Sequence, residues 1–190
     1  MNVSAVLLAG GESRRMGENK ATLLHNGEPL WHCQLTLLRQ LQPVEILVST
    51  RIDPAWRPND IDLVLDATPS QGPLSGLAAA LARSRSSHLL ALAIDMPFMT
   101  AAYLQSLGKQ IQPGCGVVPK IGSRAEPLAA IYPANAIVDV RAALCGPDFS
   151  LQTLVKQLVG NGKLRPLVVR QSEQRCFSNL NEPEDLVSAR

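Results

Sequence analysis

At 190 residues the chain has the length of one domain, expected over 1–190, and 46% hydrophobic content with only 4% aromatics requires a core of Leu, Val, Ile and Ala. A net charge of +2 excludes a nucleic-acid binder that works through a broad basic face. No run reaches the ~18 apolar residues of a membrane span, and the opening residues show neither a basic leader nor a cleavage site. A cytoplasmic protein with no membrane partner is expected.

Short apolar runs alternate with amphipathic stretches, the pattern of βα units around a mainly parallel sheet. The expected fold is a three-layer α/β/α, Rossmann-like domain. The first run, Val3–Leu8, is a strand that leads into "LAGGESRRMGENK", Leu8 to Lys20. Gly10 and Gly11 lack a Cβ, so their backbone N–H groups can turn toward an anion and let it approach. Arg14, Arg15 and Lys20 bring positive charge to the same place, enough for a ligand as anionic as a triphosphate. A P-loop is excluded because Glu18, not Lys, follows Gly17, and the dinucleotide fingerprint GxGxxG is absent.

Beyond the loop, Leu30, Cys33, Leu37, Leu38 and Leu41 recur at helical spacing between Pro29 and Pro43. Glu45–Ser49 is a second strand, 52–60 a loop, and Asp62–Leu65 a third strand ending at Asp66. In "ATPSQGPLSG", the residues Gly72, Pro73, Leu74 and Gly76 would let the backbone pack against a flat purine, and Leu74–Ala82 is a helix of small residues. His88–Ile94 is the most continuous apolar run, a central strand buried on both faces, and it ends in Asp95-Met96-Pro97. Thr100 caps a helix running to about Gln110. Gly116–Pro119 and Leu128–Tyr132 are strands joined by the loop "KIGSRAEP"; Ala134–Leu144 and Leu151–Val159 are helices; Leu167–Val169 is a late strand. In "FSNLNEPEDL" a brief strand precedes a last helix capped by Asn181. His25, His32 and His88 share no ligand spacing, and Cys33, Cys115, Cys145 and Cys176, without a CxxC, read as free thiols.

In an open parallel α/β sheet, ligands bind at the carboxyl ends of the strands. The unusual residues of this chain fall there: Gly10–Lys20 after the first strand, Asp66 and the Gly72–Gly76 turn after the third, Asp95 after the fourth. Asp95 is either a turn-forming carboxylate or, as favoured beside a phosphate loop, a hard oxygen ligand for Mg²⁺, which takes one or two carboxylates plus substrate phosphates. Asp66 either starts a proline-containing turn or accepts hydrogen bonds from a ribose or a base edge.

In chain order, "LAGG…RRMG…K", "GPLSG", "DMP", "EPLAA" and "NLNEPEDL" resemble the nucleotidyltransferases, and look most like the molybdenum cofactor guanylyltransferases. The resemblance implies transfer of GMP from GTP to the phosphate of molybdopterin, with Mg²⁺ as the metal and pyrophosphate as the leaving group. It implies nucleotide-binding roles for Leu8, Ala9, Gly10, Gly11, Lys20, Asp66, Gly72, Pro73, Leu74, Gly76 and Asp95. Arg14, Lys20 and Asp95 would be catalytic, with Asp95 on the metal. Arg124 and Glu126 of "SRAEPLAA", and Asn179 and Asn181 of the closing motif, would face the acceptor. Arg124 reads equally as a solvated hairpin charge, and Asn181 also suits a helix cap.

The family often has an asparagine after the second strand that helps hold the nucleotide. Ser49-Thr50 stands there in this chain, so that contact is weaker or made by a hydroxyl. Carrier proteins and recipient molybdoenzymes are partners by resemblance only. The rivals are cytidylyl transfer to the same acceptor, nucleotidyl transfer to a sugar phosphate, a non-catalytic NTP-binding module and a purely structural α/β domain. The presence of both Lys20 and Asp95 argues against the non-catalytic module.

Overall fold

The computed structural model describes residues 2–10 and 20–179. Gly11, Arg14 and Arg15 of the glycine loop, Asn181 and the expected last helix lie outside the described residues.

The chain runs β1 (Ser4–Leu8), β2 (Leu24–His25), β3 (Glu28–Pro29), α1 (Leu30–Gln40), β4 (Glu45–Thr50), β5 (Asp62–Leu65), α2 (Pro73–Arg83) and β6 (His88–Ala93). It continues through α3 (Ala101–Gly108), β7 (Gly116–Ile121), β8 (Arg124–Ala125), β9 (Ala129–Pro133), α4 (Ile137–Leu144), α5 (Leu151–Gly160) and β10 (Leu164–Val168) to a 3₁₀-helix, Gln171–Phe177. The main sheet has the order β10-β7-β9-β6-β1-β4-β5, with β8 added on β7. β6, β1, β4 and β5 are mutually parallel, as are β10 and β7. β9 runs against both of its neighbours, β6 and β7.

Alternation along the strands sends side chains to both faces. In β1, Ala5 and Leu7 point to one face and Val6 and Leu8 to the other; in β6, Leu90 and Leu92 are divided from Leu89 and Ala91 in the same way. Leu35 and Leu38 of α1, Leu104 of α3 and Phe177 cover the first face. Leu74 and Leu77 of α2, Val140 of α4 and Leu154 and Leu158 of α5 cover the second. This is the expected three-layer α/β/α architecture, and burial on both faces is why the central strands read as unbroken apolar runs.

The departures from expectation are local. The loop "KIGSRAEP" is a hairpin: β7 continues to Ile121, Gly122 turns at φ +57°, and Arg124 pairs back on Ile121. So short a return reaches only an antiparallel neighbour, and β9 follows in the same direction. The β2–β3 ribbon turns through Asn26 and Gly27 at φ 52° and 83°, the Asn-Gly signal of a tight hairpin. The late strand begins at Leu164 rather than Leu167 and includes Pro166, which β10 tolerates as an edge strand. Residues 177–179 form no strand; Phe177 instead ends the 3₁₀-helix and packs edge-on against Tyr103, ring centroids 5.2 Å apart. In α1 the buried stripe is Leu30, Gln34, Leu35 and Leu38, while Cys33 and Leu37 are half-buried. A polar side chain thus holds a core position. Among the described residues, no helix is long and apolar enough to cross a membrane.

Gly116, which starts β7, faces the Ile131 carbonyl so closely that any Cβ would overlap it. Gly116→Ala should force β7 and β9 apart and cost about 1–3 kcal/mol, a fall in Tm of roughly 2–12 °C for a chain of this size. A melting curve within 1 °C of wild type would contradict this packing.

Candidate functional site

Parallel pairing brings four chain segments to one edge of the sheet. Leu8 is level with Ser49 of β4 and with Ala93 of β6, and Thr50 is level with Leu65 of β5. Beyond these ends lie Gly10, Asp66 and Asp95, and they line one cleft together with Leu8, Lys20, Ser49, Pro73, Gly76 and Leu128. β9 is antiparallel, so its beginning rather than its end reaches this edge. The Leu128 carbonyl there accepts from the Ala93 N–H at 2.8 Å.

The cleft holds two carboxylates in different settings. Asp95 follows β6 on a turn, and its Oδ2 accepts from Lys20 Nζ at 2.9 Å, an ion pair spanning 75 residues of sequence. Both side chains keep 20% of their surface open to solvent. Lys20 opens the short 3₁₀ turn Lys20–Thr22, which Ala21 anchors in the core. The other oxygen of Asp95 has no protein partner among the described residues. A single carboxylate with a free oxygen matches a hard cation that takes its remaining ligands from phosphates. Among the described residues, no group of three or more His, Cys, Asp or Glu could cage an ion without them.

Asp66 is only 8% exposed and is held by hydroxyls. Ser49, at the end of β4 and 1% exposed, donates from Oγ to Asp66 Oδ1 at 2.8 Å, and Ser70 donates to Oδ2 at 3.2 Å. The Asp66 N–H donates to the Thr50 carbonyl at 3.0 Å, extending the β4–β5 pairing past the strand end. Two glycines make room for this unit. A Cβ on Gly10 would stand 2.9 Å from Asp66 Oδ2, and one on Gly76 would overlap Ser49 Oγ and approach Asp66 Oδ1. The space expected to admit an anion at Gly10, or a purine at Gly76, is thus partly filled by the chain's own carboxylate and its hydroxyl donor. Gly72 precedes α2 at φ +65°, a conformation that needs glycine, with Pro73 and Leu74 opening the helix behind it. Thr68–Pro69 is a cis peptide bond.

Among the described residues, the expected acceptor residues Arg124, Glu126 and Asn179 do not line the cleft. Arg124 is exposed on the β7–β8 hairpin, and Asn179 is exposed beyond the 3₁₀-helix. Glu126 is half-buried on the Glu126–Leu128 segment between β8 and β9, two residues before cleft-lining Leu128. Burial raises its carboxyl above the ordinary value, and the Arg124 charge opposes the rise. Phe98, three residues past Asp95, was not foreseen. His25 meets its ring edge-on at 5.3 Å and the Arg175 guanidinium lies 5.2 Å from its centroid, linking the turn to the β2–β3 ribbon and to the C-terminal 3₁₀-helix. Ser70 also escaped the sequence reading; "TPSQG" reads as turn chemistry and does not show that one hydroxyl faces a carboxylate.

Two predictions follow from this geometry. Gly76→Ala should displace Ser49 Oγ from Asp66 and destabilise by about 1–3 kcal/mol, but cost less in a Ser49→Ala background, where the obstructing oxygen is gone; urea melts of the four proteins measure this coupling, and strict additivity would refute it. For Glu126 the folded carboxyl titrates higher than the unfolded one. Its stability contribution is therefore present below the unfolded value and lost as pH rises through the folded value. Glu126→Gln should melt above wild type at pH 7, with the gain shrinking as pH falls toward ~4.3. A constant difference across that range would show that the effect is not ionic.

Comparison with known proteins supplies a family. Residues 5–162 match the family described as MobA-like NTP transferase domain. The chain is 35% identical over 186 residues to a protein of Opitutus terrae named probable molybdenum cofactor guanylyltransferase, covering 96% of this chain and 92% of that one. It is 30% identical over 200 residues to the molybdenum cofactor guanylyltransferase of Rhizobium johnstonii, covering 99% and 91%. The fold is shared with the crystal structure of molybdopterin-guanine dinucleotide biosynthesis protein A from Archaeoglobus fulgidus, with a TM-score of 0.79, 24% identity, and 98% and 96% of the two chains covered. The chain belongs to the MobA-like NTP transferase family.

Proposed function

We propose that the protein transfers GMP from GTP to the phosphate of molybdopterin, with or without its metal, yielding molybdopterin guanine dinucleotide and pyrophosphate. The observation that carries the reading is the Lys20–Asp95 pair, a cation and a carboxylate 2.9 Å apart at the shared edge of parallel strands. The relatives named for guanylyl transfer support the choice of nucleotide and acceptor. The reading treats 1–190 as one nucleotidyltransferase domain acting in the cytoplasm, its product passed to carrier proteins or a recipient molybdoenzyme.

An oxygen of the acceptor phosphate attacks the α-phosphorus of GTP, the bond to the bridging oxygen breaks, and pyrophosphate leaves with that electron pair. A phosphate monoester is already largely dianionic near neutral pH, so no strong general base is required. Catalysis then rests on positioning and on charge facing the transferred and leaving groups. Lys20 and the Gly10 N–H stabilise the leaving phosphates, joined in this reading by Gly11 and Arg14. The buried carboxylate of Asp66 accepts from the nucleoside, and the Gly72–Gly76 turn flanks the base. Arg124, Glu126, Asn179 and Asn181 form the acceptor side. Mg²⁺, when bound, supplies positive charge that neutralises the phosphate oxygens, and Asp95 is the residue that would hold it.

Asp95→Ala should lower pyrophosphate release from GTP and molybdopterin by at least ~100-fold while moving Tm by no more than a few degrees. A variant that keeps near wild-type turnover would refute the metal assignment. Thermal shift separates the rivals. At ~100 times its dissociation constant a ligand adds about 2.7 kcal/mol, roughly 5–11 °C here. A Mg²⁺-dependent rise with GTP but not CTP or ATP is expected; a larger rise with CTP would overturn the base assignment, and no rise with any nucleotide would overturn the transferase reading.

A further inference from the structure

One position in the buried stripe of α1 is polar. Gln34 is 1% exposed and sits between Leu30 and Leu38 on the helix. Its Nε2 donates to the Met96 carbonyl oxygen at 2.7 Å, across 62 residues of sequence. Its Oε1 is buried without a hydrogen-bond partner among the described residues. For stability this is a poor arrangement, because an unpaired buried acceptor costs at least as much as a typical hydrogen bond contributes. Nor does the Met96 carbonyl depend on Gln34 for a partner, since the Met99 N–H also donates to it, at 3.2 Å. What Gln34 provides is a tether from α1 to the residue that follows Asp95.

We propose that Gln34 is a positioning residue for Asp95: its amide ties the Met96 carbonyl to α1 and so fixes the backbone that presents the carboxylate to Lys20. Regular structure does not do this. β6 ends at Ala93, and the next helix begins only at Ala101, behind its Thr100 cap. Between them the Ile94 N–H reaches the Leu8 carbonyl at 3.2 Å, a long bond. Met96 is 2% exposed and belongs to the same core cluster as Leu30 and Leu35, so the Gln34 bond forms where water does not compete. A buried polar group that is suboptimal for stability, and whose one bond lands beside a reactive carboxylate, is the local inconsistency expected at functional sites.

The inference rests on the transferase reading, and its test separates the two. Gln34→Met preserves side-chain length and apolar fit but cannot donate. Relative to wild type, the variant should show kcat lowered about tenfold with KM for GTP within about twofold, the signature of a group acting in the transition state. Its Tm should be unchanged or higher, and the Met99 amide should exchange hydrogen faster. A kcat within twofold of wild type, or a rate loss matched by a fall in Tm, overturns the proposal. If the wild-type protein transfers no GMP, the transferase reading falls and exchange alone decides the tether: faster exchange at Met99 in Gln34→Met supports it, and unchanged protection overturns it.

Discussion

Because helices cover both faces of β1, β4 and β6, a charged side chain along these strands would lose its water without gaining a partner, at a cost of several kcal/mol. Ionisable groups that serve a ligand are therefore confined to the strand ends. Parallel pairing then gathers the ends of β1, β4, β5 and β6 on one edge, and this collects Gly10, Ser49, Asp66 and Asp95 from distant parts of the sequence. The site follows from the burial of the sheet. Even the reversed β9 contributes consistently: its starting end meets the same edge, where Leu128 pairs with Ala93 and closes one wall of the cleft.

Much of this was legible because apolar periodicity and the placement of Asp, Gly and Pro after strands are local signals. The unbroken apolar run His88–Ile94 is consistent with a strand buried on both faces, which puts Asp95 at its end. The hairpin at Gly122 and the 3₁₀-helix before Phe177 were not legible: the hairpin holds by only two residue pairs, Lys120 with Ala125 and Ile121 with Arg124, too short to leave an alternating pattern, and Phe177 finds its partner, Tyr103, far away in sequence. The glycines were legible as necessary, but only part of the reason was. Gly10 and Gly76 were read as space for a ligand, whereas both also clear space for Asp66 and Ser49. Gln34 was invisible because helix periodicity weighs only apolar residues, and its neighbours Cys33 and Leu37 completed a credible stripe without it.

The departure from the family's asparagine after the second strand acquires a physical meaning from the same geometry. An asparagine has the reach to meet a ligand itself. Ser49 is shorter, and its hydroxyl is committed to Asp66 Oδ1 while Ser70 takes Oδ2. The buried carboxylate thus has a hydroxyl donor on both oxygens. It still has lone pairs to offer a donor, so any recognition at this point passes to Asp66.

The two carboxylates of the cleft are accordingly built for different work. Asp66 is buried, its two oxygens held by the Ser49 and Ser70 hydroxyls and its N–H by the Thr50 carbonyl, so three bonds oppose its turning. Asp95 is more open and pairs with a charge, Lys20, on a single 3₁₀ turn. The pair is mostly buried but reaches the cleft, so a phosphate beside Lys20 or a cation beside Asp95 would take over the charge that each now gives the other. A fixed acceptor suits recognition, which needs the same geometry each time. An exchangeable pair suits chemistry, in which charge must be handed from protein to substrate and back. The exchange is productive only if the backbone under Asp95 stays in place while its partners change, and the Gln34 side chain bonds that backbone and leaves the carboxylate itself unencumbered.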